Sequence, residues 1–151
     1  MLFHDAALSY LHFLFAFVLA GSLAGEAFVL RLPVDGRVAR LLLRMDLFYA
    51  IGAVGVIAAG AARVFWGAKG AGYYGDQPWF WAKMATVAVI GLISIAPTRT
   101  FIGWVKRASQ DAAFVAPDAE AKRARRWVLL ELSLLGLTPL FAALMARGIG
   151  S

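Results

Sequence analysis

The chain has 151 residues, 62% of them hydrophobic and 16% charged, with a mean hydropathy of +0.74. A soluble domain is roughly half apolar and a quarter charged, so this composition belongs to lipid and excludes an ordinary cytosolic enzyme, a disordered tail or a nucleic-acid-binding domain. Lys plus Arg outnumber Asp plus Glu by 15 to 9, and there is no cysteine. Disulfides, thiolate metal sites, Fe–S clusters and thiol nucleophiles are therefore excluded.

Four long apolar stretches predict four membrane helices, at about 7–32, 41–65, 79–101 and 127–145. Each reaches the ~20 residues needed to cross a hydrocarbon core of ~30 Å. The first has no basic segment before it, which argues against a removable signal peptide. The fourth is interrupted by Glu131 and Pro139. The expected fold is all-α: one integral membrane domain over 1–151, a four-helix bundle. Pro97 and Pro139 are expected to end or kink their helices.

Loop charge predicts the orientation. The first link holds Arg31, Arg37 and Arg40, with Arg44 just inside the next helix. The third, read as the longest at about 102–126, holds Lys106, Arg107, Lys122, Arg123, Arg125 and Arg126. The second holds only Lys69 and Asp76, with Arg63 nearby. Positive-inside bias then puts the first and third links in the cytoplasm and both termini on the outer, periplasmic side of a bacterial inner membrane.

The second link, WGAKGAGYYGDQPWFW, reads first as an aromatic belt at the outer interface. Its glycines permit tight turns and close approach of a flat ligand. No strand precedes them and no phosphate-loop spacing is present.

Ionisable residues inside the apolar stretches fall into two layers. His12, Arg63 and Lys83 share a depth near the outer surface, while Glu26, Arg44, Asp46, Arg99 and Glu131 share one near the cytoplasmic surface. The inner layer mixes signs, so pairing and snorkelling are expected, with Glu26 and Glu131 as the members that would instead relay protons. In the outer layer, cations beside a neutral imidazole suit a haem, with the imidazole on iron and the cations on propionates. His12 is the metal-ligand candidate, Arg63 and Lys83 the propionate partners, and Tyr73, Tyr74 and Trp79 the cover for the porphyrin edge. His4 is too far from His12, ~12 Å along one helix, to complete a bis-histidine site. Small residues (Gly21 and Gly25, then Gly52, Gly55 and Ala59, then Gly91 and Ser94) suit helix packing, oligomer contacts or a porphyrin face.

The strings YLHFLFAF, RVFWGAKGAGYY, PWFWAKM and GLISIAPTRTF resemble a bacterial family of small membrane proteins of unknown function over the whole chain. More remotely, Leu11-His12, Ala20-Gly21 and Trp81-Ala82-Lys83-Met84 are similar to HemJ-type protoporphyrinogen oxidases, with a further likeness to CopD-like membrane proteins. The HemJ likeness implies haem b, a porphyrin or quinone partner, and a haem-dependent membrane oxidoreductase with His12 and Lys83 at its site. The histidine such sequences carry late in helix three is missing between Ala88 and Ser94. The CopD likeness implies copper or small-ion handling, for which two His and four Met are thin. A non-catalytic scaffold or accessory subunit is the third reading. No nucleophile–base–acid set can be built.

Overall fold

The computed structural model describes residues 2–67 and 70–148 and is helical throughout. Four long helices, α1 (Leu2–Val29), α2 (Gly36–Trp66), α4 (Pro78–Gln110) and α5 (Asp118–Ala146), are joined by short links, with a six-residue helix, α3 (Gly70–Gly75), before α4. All four long helices have the length and apolar composition to span a membrane. At 1.5 Å rise per residue, each is about 42–50 Å long and outruns the ~30 Å hydrocarbon core.

Short-range chemistry sets the breaks. After α1 the chain closes with a bond from Leu30 N–H to the Glu26 carbonyl, and Pro33 follows, which cannot continue the helix. Asp35 caps α2, its carboxylate accepting from the N–H groups of Arg37 (2.9 Å) and Val38 (2.8 Å). Those bonds, that to Val38 first, hold the Asp35 carboxyl below the usual range. Pro78 opens α4 at the first helical position, where its missing N–H is no loss. Asp118 and Glu120 sit in the first turn of α5, where negative charge suits the helix dipole.

The helices run beyond the apolar stretches. α4 continues past Phe101 to Gln110, and α5 begins at Asp118, so most of the expected third link is helix and only 111–117 connects. Lys106, Arg107, Lys122 and Arg123 prolong the helices outside the apolar span, because these side chains favour helix wherever water can solvate them. Pro97 and Pro139 lie inside α4 and α5, and neither ends its helix. Lys69 lies outside the described residues.

The helices form a ring in which α1 packs on α2, α2 on α4, α4 on α5 and α5 on α1. The diagonal pairs α1/α4 and α2/α5 make no close backbone approach, and Tyr49 of α2 reaches Glu131 of α5 only through its side chain. The end carrying the links 30–35 and 111–117 is clasped by a bond from Ala116 N–H to the Val34 carbonyl at 2.9 Å. Its core holds Leu23, Val34, Ala39, Leu42, Phe101, Trp104, Ala124 and Val128, all nearly inaccessible. Trp104 donates its indole N–H to Glu120 at 2.7 Å, and Glu120 also pairs with Arg107. Outward, the helices bear large exposed apolar side chains, among them Phe17, Val54 and Leu92. No soluble monomer presents so continuous an apolar coat, and lipid is its solvent.

Candidate functional site

The half of the bundle nearer the termini holds a cavity of about 500 Å³ between all four long helices. That size falls within the roughly 300–1,000 Å³ of small-molecule and cofactor sites. Its wall is apolar except for His12, Tyr49, Lys83 and Thr138. Two of the three residues that the sequence placed at one depth therefore face the same space, His12 from α1 and Lys83 from α4. Hydrocarbon would strand either polar group, so both turn inward.

The His12 ring is seated by α2. Its Nδ1 lies 3.1 Å from the Val56 carbonyl oxygen, and a carbonyl only accepts, so Nδ1 carries the hydrogen. Nε2 is then the lone-pair nitrogen, the form in which histidine binds metals when its other nitrogen donates to a carbonyl. Gly60 lies against the ring: a Cβ there would come 3.4 Å from His12 Cε1, in van der Waals contact. Gly60 was not among the glycines singled out from the sequence. Its one signal is its place four residues beyond Val56, one helical turn along the face that meets α1.

The glycines divide into two kinds. A Cβ on Gly52 would come within 2.9 Å of the Leu19 backbone nitrogen; one on Gly55 would strike the Phe15 ring and one on Gly25 the Met45 methyl. These hold α1 against α2. Gly91 and Gly136 line the cavity, and a Cβ on either would meet nothing within 4 Å.

The remaining candidates lie outside the lining. Arg63 is close enough to act electrostatically on His12 and Lys83 but does not line the cavity. Neither Arg63 nor Lys83 forms an ion pair among the described residues. Tyr73 stacks edge-on against Tyr74, Tyr74 packs on Phe80, and Trp79 stacks on Phe141 of α5 at 5.9 Å. This aromatic cluster fastens α3 and the start of α4 to the rest of the bundle, aided by a bond from the Trp81 indole N–H to the Gly75 carbonyl. Gly70, at φ +72°, supplies the left-handed residue that starts α3.

The inner layer departs from the expected pairing. Arg44 and Arg99 are exposed, as snorkelling predicts, but the acids do not pair with them. Glu26 and Glu131 are each 1% exposed and Asp46 is 7% exposed. Asp46 accepts a bond from Thr98 at 2.9 Å. Sequence depth predicted that charges of opposite sign would meet; the helix faces turn the acids inward and the arginines outward. Among the described residues, no three His, Cys, Asp or Glu side chains are arranged to hold a metal ion.

No curated protein and no solved structure gives a significant match to the chain, so the likeness to HemJ-type and CopD-like proteins finds no support there. A family model matches residues 4–150, nearly the whole length, and its description fits four apolar helices around a lipid-embedded core. The chain belongs to the family described as "Predicted membrane protein (DUF2214)".

Proposed function

We propose that this protein binds haem b in the cavity between its four helices and serves a redox reaction in the bacterial inner membrane. The observation that carries the reading is the His12 ring: it lines the cavity, and the Val56 carbonyl fixes its tautomer with Nε2 bare. The surroundings suit the group. Gly91 and Gly136 leave flat, open wall, and Lys83 supplies a cation without an anionic partner. Arg63 adds positive potential from just outside the lining. Two propionates buried without such cations would cost several kcal/mol each.

In this reading His12 is the single protein ligand, and haem, when bound, supplies one-electron chemistry at its iron. Lys83 holds a propionate, and the apolar wall excludes water. Tyr73, Tyr74 and Trp79 lie outside the cavity lining, where their ring contacts fasten α3 and the start of α4. The end with two links carries Arg31, Arg37, Arg40, Lys106, Arg107 and the basic start of α5. That distribution favours a cytoplasmic placement for it, with both termini and the cavity's half on the periplasmic side.

The test is the absorbance of protein purified from haem-sufficient cells. A Soret band that sharpens on reduction is expected, lost in His12→Ala with helical content unchanged, and altered in position or intensity in Lys83→Ala. A colourless wild-type protein that takes up no added haem would refute the reading.

A further inference from the structure

Below the cavity, toward the end with two links, Glu26 of α1, Asp46 of α2 and Glu131 of α5 turn into the same interior. Glu26 Oε1 is buried without a hydrogen-bond partner among the described residues, and the equally buried Glu131 carboxyl has only the Tyr49 hydroxyl beside it. The three groups act on one another: Asp46 and Glu131 on Glu26, and Asp46 on Glu131. Among the described residues, no lysine or arginine acts on any of them. Arg125 bonds through Nε to the Ala27 carbonyl at 3.2 Å, and Arg44 and Arg99 are exposed. From α4 the cluster receives only hydroxyls, Thr98 on Asp46 and Ser94 beside Tyr49.

An ionised carboxylate with orphan oxygens in an apolar interior costs several kcal/mol, and three at this spacing would also repel. The cluster therefore needs positive charge. The described residues offer no arrangement for a metal ion, and no cationic side chain enters. A proton meets the need without a coordination shell: each protonated carboxyl gains an O–H, the donor that the orphan oxygens lack. Tyr49 joins this cluster to the cavity, since it lines the cavity wall and interacts with Glu131. We propose that Glu26, Asp46 and Glu131 form a proton-holding site at the centre of the bundle, connected to the cavity through the Tyr49 hydroxyl. The inference is independent of what the cavity binds.

The full-length protein in lipid nanodiscs tests this. Dicyclohexylcarbodiimide, an apolar reagent that enters through lipid and attacks protonated carboxyls, is expected to modify Glu26 or Glu131 at neutral pH, located by peptide mass spectrometry. Infrared spectra should show the carbonyl stretch of a protonated carboxylic acid, with lost intensity in Glu131→Gln and Glu26→Gln. Tyr49→Phe should keep the band and the labelling but slow the band's shift in D₂O, because the route from the cavity is cut. Wild-type protein that is folded yet shows neither adduct nor acid band overturns the proposal, whatever the variants do. Suppression of labelling by sodium or potassium also overturns it, since a metal cation would then hold the site.

Discussion

The two halves of this bundle solve different problems with the same four helices. At the end with two links, Leu23, Leu42, Phe101, Trp104 and Val128 fill the interior, and the Val34–Ala116 bond ties one link to the other. At the other end about 500 Å³ of space is left open, walled by apolar side chains with His12, Tyr49, Lys83 and Thr138 among them. In lipid there is little hydrophobic drive between helices, so close packing and hydrogen bonds carry the association. One half concentrates both, while the other half leaves a cavity between the helices. The three buried acids lie between them, where packing gives way to cavity.

The sharpest way to break the comparison is to damage the packed half. Trp104→Ala removes the largest inaccessible side chain and its hydrogen bond to Glu120. The expected loss is about 3–5 kcal/mol, read as thermal or denaturant unfolding in detergent. A loss below ~1 kcal/mol would mean that this half is not the anchor.

The glycines sharpen the contrast. Gly52→Ala drives a Cβ against the Leu19 backbone, and rigid backbone cannot give way as a side chain end would, so about 1–3 kcal/mol should be lost. Gly91→Ala and Gly136→Ala place their methyl groups in open cavity and should stay within about ±0.5 kcal/mol of wild type. Gly91→Leu should leave stability near wild type yet lower haem uptake, because it fills the space. Equal destabilisation at Gly52 and Gly91 would erase the distinction between packing glycines and wall glycines.

The smallest effect concerns Asp35, at the edge of the packed half. Its bond from Val38 N–H depresses its folded-state pKa below the unfolded value. The cap therefore adds stability above the unfolded carboxyl range, and the benefit fades as pH falls through the folded value. Wild type should be more stable than Asp35→Ala at neutral pH, with the gap narrowing in acid. A gap that is constant with pH would show that the carboxylate charge plays no part in the cap.

Hydropathy and loop charge made the four helices legible, and the depth argument brought His12 and Lys83 together before any coordinates. What the sequence hid follows from two limits. Depth along a helix says nothing about its facing, so it leaves pairing, snorkelling and proton relay open for the inner layer; the helix faces turn Glu26, Asp46 and Glu131 inward and Arg44 and Arg99 outward. Hydropathy also falls where helices leave lipid, so the helical stretches around Lys106 and Arg123 read as a connector. The aromatic link carried two meanings, belt and ligand cover, and the contacts of Trp79 and Tyr74 favour an architectural use.

The central claim is that Nε2 of His12 is the ligand for which the cavity is built. The most direct measurement is haem titration of His12→Gly, with and without added imidazole. The account predicts that wild type binds haem, that His12→Gly loses most of this binding, and that free imidazole restores it by occupying the vacated seat beside Val56 and Gly60. Undiminished haem binding by His12→Gly without imidazole, with the wild-type spectrum, would contradict it.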